Sequence, residues 1–332
     1  MSPREYDESD VRVRPGRRGS RPRTKRRPEH SDAVPAMVTT VDRGRWTCAP
    51  DGDSTRPPVT AMRARELGRT PIVVGDQVGL VGDLSGAPDT IARIVRVAPR
   101  DTSLRRTADD DDPVERIVVA NAEQLIIVTA LADPEPRTGF VDRCLVAAYA
   151  GGLAPVLCLT KADLADPDGF AGQYRELDLP VLVTRRDRWP GELAQLLAGR
   201  VSALVGHSGV GKSTLVNTLL PDAALAVGRV SAIGKGRHTT TAALALPLPA
   251  ERGGGWVVDT PGVRSFGLAH VTPDDVPAAF GDLAVAIEDC PRGCGHLGPP
   301  ADPECALDGL VAEGRLAPAR LIALRRVLTA LG

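Results

Sequence analysis

The sequence predicts three folded parts: a small β-barrel, a central α/β domain built on a parallel sheet, and a C-terminal metal-binding module. Short apolar segments alternate with turn residues from residue 37 to about residue 120. Buried strands then alternate with helices, which is typical of a parallel sheet covered on both faces. Three of the six cysteines fall between residues 290 and 305. A length of 332 residues allows two or three such domains.

Residues 1–36 are rich in Arg, Pro, Ser and Asp and contain little that is apolar. This composition predicts a disordered tail. From Arg12 to Arg27 the tail carries nine Lys or Arg and no acidic residue. Such a block suits an arm that contacts RNA phosphates, and it equally suits a solvated tail that aids solubility. The sequence leaves both interpretations open.

The region 37–120 contains five short strand-like segments separated by Gly, Pro and Asp, and this pattern favours an OB-fold barrel. Such barrels often bind RNA, so we expect RNA contact on this domain; a solvated basic face is the alternative. The acidic run Asp109–Asp112 predicts a loop turned away from RNA. The predicted strands are Met37–Val41, Val59–Arg65, Asp76–Val81, Ile91–Val97 and Ile117–Ala120, and the candidate phosphate contacts are Arg93, Arg96, Arg100, Arg105 and Arg106.

The central domain is organised around GHSGVGKS, which fits the phosphate-binding pattern G-x-x-x-x-G-K-[ST]. An apolar strand, Val201–Val205, precedes it, and a predicted helix, Thr214–Leu220, follows. Glycines let backbone N–H groups face an anion, and the helix N-terminus adds positive potential. Lys212 would reach the β- and γ-phosphates, and the Ser213 hydroxyl would bind Mg²⁺. The predicted phosphate-binding residues are Gly206, His207, Ser208, Gly209, Val210, Gly211, Lys212, Ser213 and Thr214.

Two further motifs predict that the nucleotide is GTP. Asp259-Thr260-Pro261-Gly262 follows the apolar strand Trp256–Val258, so Asp259 can hold Mg²⁺ through water and Gly262 can donate its N–H to a γ-phosphate. Thr160-Lys161-Ala162-Asp163 follows the strand Pro155–Leu159 and resembles the guanine-reading N/T-K-x-D motif. The Asp163 carboxylate would accept from guanine N1–H and the 2-amino group, an arrangement that adenine cannot satisfy. The Lys161 stem would pack over the base.

The order of these motifs predicts a circularly permuted GTPase sheet. Ordinary GTPases run from phosphate loop through DxxG to the guanine motif, whereas here the guanine motif at Thr160 comes first and Asp259 comes last. Permutation leaves the packed sheet unchanged because termini and loops lie at the surface. The remaining predicted elements of this domain are the strands Leu125–Thr129 and Val181–Val183 and the helices Phe140–Ala150, Phe170–Leu177 and Glu192–Leu197. Thr184, after the strand Val181–Val183, is a candidate neighbour of the guanine.

Between the phosphate loop and Asp259, the stretch Gly234–Thr241 suits a switch segment. Thr240 or Thr241 should reach Mg²⁺ and the γ-phosphate. Val263 occupies the position where many GTPases place a water-orienting Gln, and valine cannot perform that task. His238 is the nearest polar candidate in sequence and we predict that it acts in hydrolysis; a solvent-exposed or RNA-facing histidine is the alternative.

The C-terminal part predicts one structural zinc. Cys290, Cys294, His296 and Cys305 supply three thiolates and an imidazole within 16 residues, which suits a closed tetrahedral Zn²⁺ site. The alternative is chance clustering of free thiols. A helix over Pro273–Leu283 should precede the cluster, and a terminal helix over Arg315–Leu331 should follow it.

No signal peptide or membrane span is predicted, because the N-terminus is charged and glycines and a proline interrupt the longest uncharged run, Cys144–Thr160. We therefore expect a cytoplasmic protein. We also expect a monomer.

The whole set resembles the RsgA/YjeQ family of circularly permuted GTPases that assemble the small ribosomal subunit. The resemblance rests on the motif order, on GHSGVGKST, GRHTTT and DTPGVRSFGL, and on the Cys-Cys-His-Cys cluster. It implies GTP hydrolysis with Mg²⁺, stimulated by the small subunit, in its late maturation, with rRNA contacts through the OB and zinc domains. It covers about residues 37 to 330 and implies an OB domain at 37–120, a permuted GTPase domain at 121–270 and a zinc domain at 271–332. The tail at 1–36, which the composition predicts to be disordered, lies outside it.

The sequence departs from the family pattern in two ways. The first cysteine pair is one residue closer than usual and the gap from His296 to Cys305 is longer, which loops can absorb. Thr160 stands where Asn is usual, which predicts weaker hydrogen bonds within the guanine loop. Two rival functions remain at this stage: another permuted ribosome-assembly GTPase, or an RNA-binding protein that GTP switches with little catalysis.

Overall fold

A computed structural model describes residues 30–107, 115–220, 243–260, 268 and 271–331. Most of the predicted tail, residues 1–29, and the predicted acidic loop at Asp109–Asp112 lie outside the described residues. In the parts of the chain that the structure describes, every helix is too short or too polar to cross a lipid bilayer.

The N-terminal domain is a closed barrel of five strands: β1 (Val34–Asp42), β2 (Arg45–Pro50), β3 (Val59–Arg63), β4 (Gln77–Val81) and β5 (Ala92–Val97). The strand order is β1-β2-β3-β5-β4, and β4 pairs back to β1. Only the β3–β5 pairing is parallel. Alternate residues such as Ala61, Leu80 and Ile94 are fully buried in the barrel. This arrangement confirms the predicted OB-like barrel.

The prediction of the barrel strands needs two corrections. The strand β2 was not predicted, because its sequence RWTCAP mixes Arg, Thr and Pro with its apolar residues; Trp46 and Cys48 are nevertheless buried in the barrel. The predicted fifth strand, Ile117–Ala120, lies instead in β7 (Glu115–Ala120). β7 pairs with β6 (Ser103–Thr107) in a separate two-stranded sheet.

The central sheet contains β8 (Gln124–Ala130), β9 (Ala154–Thr160), β10 (Val181–Val183), β11 (Val201–Val205), β12 (Leu244–Pro247) and β13 (Trp256–Asp259). Its order is β10-β9-β8-β11-β13-β12. All neighbours are parallel except β12, an antiparallel strand that the sequence analysis missed. Every residue of β8 is buried, as expected for a central strand covered on both faces.

Helices cover the two faces of this sheet. On one face, α3 (Gly191–Leu197) and α4 (Lys212–Leu219) pack on residues such as Ile126 and Leu204. On the other, α1 (Thr138–Ala150) packs on residues such as Leu125 and Leu157. The predicted helix at Phe170–Leu177 is shorter than expected and consists of α2 (Asp168–Ala171) and a 3₁₀ turn at Arg175–Leu177.

The barrel is joined edgewise to the central sheet. Thr40 of β1 pairs with Leu244 of β12 in an antiparallel bridge. The Trp256 indole, at the start of β13, donates a hydrogen bond to the Gly52 carbonyl of the barrel over 3.2 Å. One continuous hydrogen-bonded sheet of 11 strands therefore runs through both domains.

The C-terminal part is more broken than predicted before the cysteines. Pro273–Leu283 forms 3₁₀ turns at Pro273–Asp275 and Pro277–Ala279, followed by the short helix α5 (Gly281–Ala284). Pro273 is tolerated at a first helical position, but Pro277 lies inside the predicted helix, where its missing N–H and its ring prevent continuation. After the cysteines come α6 (Ala306–Ala312) and α7 (Pro318–Leu328). The terminal helix begins three residues later than predicted because Pro318 occupies its first position.

The helix α7 returns to the central domain and packs on α1. Its apolar residues, including Leu321 and Leu324, share one buried cluster with Val141 and Leu145 of α1. Arg326 lies over the Tyr174 ring, 4.4 Å from its centroid.

Arg320 of α7 bonds to both the central domain and the C-terminal module. It contacts Asp178 of the central domain and pairs with Asp282 of α5 over 3.1 Å. Its guanidinium also lies 5.3 Å from the centroid of the Phe280 ring.

Candidate functional site

The carboxyl ends of β9, β11 and β13 meet at one edge of the central sheet, where open α/β folds bind ligands. The loops after β9 and β11 line a cavity of about 820 Å³. Two motifs that are far apart in sequence, the guanine motif after β9 and the phosphate loop after β11, thus face the same space. The lining residues from these motifs are Thr160, Lys161, Asp163, Gly206, His207, Ser208, Gly209, Gly211, Lys212, Ser213 and Thr214.

The phosphate loop has the conformation that its glycines permit. Gly209 and Gly211 have φ of 83° and 93°, in the left-handed region that favours glycine. Gly206 passes close to β8, where a Cβ would lie 2.5 Å from the Val128 carbonyl oxygen. The buried Val210 side chain anchors the loop, and α4 begins at Lys212. The loop therefore leads directly into a helix N-terminus, where the backbone favours an anion.

Lys212 and Asp259 meet beneath this loop. The Lys212 Nζ lies 2.7 Å from Asp259 Oδ1 and donates to the Thr260 carbonyl over 3.3 Å. A carboxylate offers about four lone-pair sites, so Asp259 keeps acceptor capacity beside the Lys212 ammonium. A buried carboxylate oxygen with spare acceptor capacity suits a water molecule of a hydrated Mg²⁺. Asp259 and the exposed Ser213 could therefore hold Mg²⁺.

Thr160 joins the guanine motif to the phosphate loop. Its buried hydroxyl donates a hydrogen bond to the Val210 carbonyl over 2.5 Å. This bond joins the two loops, so the threonine that replaces the usual Asn still supplies a tie at this position.

The rest of the guanine loop is also held in place. Lys161 has a positive φ of 59°, and its ammonium donates to the Asp133 carbonyl. The Ala162 amide donates to the Thr184 carbonyl over 3.2 Å. Thr184 also lines the cavity, and its place beside the guanine stays a prediction. Asp163 is exposed to the cavity, where a base can reach its carboxylate.

Several cavity residues were missed by the sequence analysis. Arg185, Arg186 and Arg188 follow β10 and line the base end of the cavity. The signal that could have found them is their position directly after Thr184. His207 packs on Phe140 with ring centroids 4.1 Å apart. Burial, together with the nearby Arg137 charge, lowers the pKa of His207, which favours its neutral form.

The four predicted zinc ligands come together. Their donor atoms all lie within 4.8 Å of one another. The His296 Nδ1 is 3.5 Å from the Cys290 sulfur and 3.9 Å from the Cys305 sulfur. Zn–S bonds of about 2.3 Å and Zn–N bonds of about 2.0 Å in a tetrahedron require donor separations of roughly 3.5–3.8 Å. The cluster is therefore compatible with a zinc ion bound by Cys290, Cys294, His296 and Cys305.

The backbone around the cluster supports this arrangement. The His296 amide donates to the Cys294 sulfur, and the Ala306 amide donates to the Cys290 sulfur, each over 3.4 Å. The Asp302 carboxylate accepts from the amides of Gly295 and Leu297 and so holds the intervening loop. Four protein donors fill a tetrahedral ion completely, which is typical of a structural site.

Some predicted site residues cannot be placed. His238, Thr240, Thr241, Gly262 and Val263 lie outside the described residues. Their roles stay predictions from the sequence.

The permuted sheet order, with phosphate and guanine loops at one edge, defines the class of circularly permuted P-loop GTPases. The RsgA GTPase family model matches residues 97–269. A relative from Pseudomonas putida is 40% identical over 270 residues, covering 78% of this chain and 75% of that protein. One from Pseudomonas aeruginosa is 39% identical over 78% of this chain and 76% of its own length. Both are named small ribosomal subunit biogenesis GTPase RsgA.

Solved structures agree with this. YjeQ from Thermotoga maritima is 27% identical with a TM-score of 0.64, over 90% of this chain and 98% of its own. YloQ, described as a circularly permuted GTPase, shares the fold with a TM-score of 0.63 at 21% identity, over 91% of this chain and 96% of its own. The chain belongs to the RsgA GTPase family, and its enzyme class is GTP hydrolase.

Proposed function

We propose that this GTPase binds the small ribosomal subunit and hydrolyses GTP during its late maturation. The names of the relatives, small ribosomal subunit biogenesis GTPase RsgA, support this role in assembly of the small subunit. The observation that carries the nucleotide assignment is the hydrogen bond from Thr160 to Val210, which holds a guanine-type loop against a phosphate loop. The proposed cell compartment is the cytoplasm, and the proposed active form is a monomer.

We assign the site residues as follows. Asp163 reads the guanine edge, with Thr160, Lys161 and Ala162 shaping its loop. The loop from Gly206 to Thr214 holds the phosphates. Lys212 breaks its ion pair with Asp259, and its ammonium then neutralises charge on the β- and γ-phosphates. Magnesium, when bound with GTP, supplies charge neutralisation between these phosphates.

Hydrolysis requires a water molecule in line with the bond between the γ-phosphorus and its bridging oxygen. We assign its orientation to His238, because Val263 cannot accept or donate a hydrogen bond. Thr240, with Thr241 as the alternative, and Gly262 would contact the γ-phosphate side. In this scheme Ser213 and Asp259 would hold Mg²⁺, with Asp259 acting through a water molecule.

Contact with rRNA is assigned to the barrel and the zinc module. Arg93 and Arg96 of β5 have exposed side chains and suit phosphate contact. Arg100 does not, because its guanidinium pairs with the fully buried Asp76 over 2.6 Å and donates to the Pro71 carbonyl. Its role is to join two segments of the barrel.

The test is GTP turnover by purified protein with and without separated small and large ribosomal subunits. We expect GTP to be hydrolysed faster when small subunits are added, with ATP neither bound nor hydrolysed. Lys212→Ala is the control for the site, because removing its charge at the phosphates should abolish this turnover. Nucleotide-dependent binding to small subunits without any turnover would instead identify a GTP-switched RNA-binding protein.

A further inference from the structure

The zinc ligand His296 has a second partner that comes from outside the cysteine cluster. While its Nδ1 faces the sulfurs of Cys290 and Cys305, its Nε2 lies 2.7 Å from Asp274 Oδ1. The His296 side chain is only 1% exposed, whereas that of Asp274 is 70% exposed. The buried ring is therefore held between the metal-binding atoms and a carboxylate on its solvent side.

We propose that Asp274 is the positioning residue of the zinc centre. A neutral imidazole that binds zinc through Nδ1 must carry its proton on Nε2, and Asp274 is placed to accept that proton in a hydrogen bond. This bond selects the metal-binding tautomer and fixes the ring plane. The carboxylate charge also raises the electron-donating strength of Nδ1.

The local backbone presents this carboxylate rigidly. Asp274 is the middle residue of the 3₁₀ turn Pro273–Asp275. The Thr272 amide and hydroxyl donate to Asp275 Oδ2 over 2.7 and 2.8 Å, and the Asp275 amide donates back to the Thr272 side chain, which completes a capping box. The turn therefore keeps its shape without help from His296. It carries two adjacent aspartates, of which Asp274 contacts the histidine and Asp275 bonds within the turn.

This pair of aspartates provides a matched experiment on the full-length protein. Zinc affinity is measured by competition with a chelator for the wild type and for Asp274→Ala, Asp274→Asn and Asp275→Asn. We expect Asp274→Ala to weaken zinc binding by about 10–100-fold, the usual cost of losing such a partner. Asp274→Asn keeps an oxygen acceptor but loses the charge, so its loss should be smaller. Asp275→Asn removes the same charge one residue away and should bind zinc like the wild type.

A spectroscopic measurement separates positioning from a general loss of structure. Nitrogen NMR of the His296 ring in the zinc-loaded wild type should show a metal-bound Nδ1 and a protonated, hydrogen-bonded Nε2. Asp274→Asn should shift the Nε2 signal, whereas Asp275→Asn should give the same Nε2 signal as the wild type. Because Asp274→Asn is nearly isosteric, this readout decides the matter even if Asp274→Ala fails to fold.

Three results would overturn the inference. Zinc affinity in Asp274→Ala equal to that of the wild type would show that the hydrogen bond does not support the metal. Equal losses in Asp274→Asn and Asp275→Asn would show that only the overall charge of the turn matters. A wild-type protein without tightly bound zinc would overturn the metal assignment and this inference with it, but would leave the GTPase proposal intact.

Discussion

At the guanine motif, we predict that one carboxylate, that of Asp163, decides which base is bound. Asp163→Asn exchanges an acceptor for a donor, so we expect preference to shift from guanine to xanthine nucleotides. Loss of hydrogen bonds to a charged group costs about 1.5–3 kcal/mol, which predicts GTP affinity lower by roughly 10–100-fold. Titration with labelled GDP and xanthosine diphosphate measures this. Asp166→Asn, an exposed neighbour, is the control and should bind like the wild type.

His238 should act in hydrolysis and not in binding. We expect His238→Ala to keep GTP affinity and to lower subunit-stimulated turnover by about 10²–10⁴-fold, the usual contribution of an acid–base group. Equilibrium binding and single-turnover hydrolysis measure the two effects separately. Unchanged turnover would mean that this histidine is a bystander or that ribosomal RNA orients the water.

At the residue scale, the sequence predicted contacts that depend on local spacing and missed those that depend on the fold. Lys212 and the cysteine cluster are recognisable because their chemistry requires fixed intervals along the chain. Asp274 lies 22 positions before His296, and no spacing rule connects them. Arg100 was assigned to RNA because its charge is visible in the sequence, whereas its buried partner Asp76 is visible only in the barrel.

At the scale of elements, the zinc cluster should supply most of the folding free energy of its own loop. The segment from Cys290 to Cys305 contains almost no regular structure, and besides the metal ligands its main backbone tie is Asp302, which accepts from the amides of Gly295 and Leu297. Structural zinc contributes roughly 10 kcal/mol or more in small zinc peptides. We expect Cys294→Ser to release zinc and unfold this segment. Elemental analysis and hydrogen exchange provide the measurement, with Cys48→Ser as the control for a cysteine outside the cluster.

The central domain should remain folded in that variant, because α7 packs on α1 through its own apolar residues. GTP binding would then persist after zinc is lost. A folded Cys290–Cys305 segment without metal would contradict the prediction.

Strands with continuous apolar runs, such as β8 and β11, were predicted well. Burial on both faces of the sheet selects apolar residues at nearly every position of such a strand, so the run is visible in the sequence. The strand β2 was missed because Arg, Thr and Pro interrupt its apolar residues, and β12 because it has only four residues and ends in proline. They form because their backbone groups pair with the N–H and C=O groups of neighbouring strands, and that pairing exists only in the assembled sheet. The helix predicted at Pro273–Leu283 failed for a local reason, since Pro277 lacks the amide that a continuous helix would need at that position.

At the scale of the whole molecule, we predict that the nucleotide state controls subunit binding through the zinc module. Asp274 follows the DTPG motif by about a dozen residues, so the γ-phosphate and the zinc centre are close along the chain. Coupling requires that the GTP form bind the subunit more tightly than the GDP form. A difference of about 1–3 kcal/mol in binding free energy is typical of such coupling. By reciprocity, the subunit should tighten binding of a GTP analogue over GDP by the same factor.

Removing the chain after Leu283 would be a poor test, because it also strips α7 from α1 and exposes the core of the central domain. Arg320→Ala is better, since Arg320 bonds to both the central domain and Asp282 of the zinc module. We expect it to reduce the GTP-to-GDP ratio of subunit affinities. Arg292→Ala, an exposed charge in the zinc module, should change both affinities equally. If Arg320→Ala keeps the wild-type ratio, the barrel or the switch segment reads the nucleotide.

The docking of α7 on α1 also has a consequence for synthesis of the chain. About 180 residues separate the starts of the two helices, so α1 leaves the ribosome long before α7 has been synthesised. At 5–20 residues per second, the apolar side of α1 waits roughly 10–40 s for α7. The nascent central domain thus exposes apolar surface and is prone to aggregation until translation ends. A chaperone that shields α1 during this interval would raise the yield of folded protein.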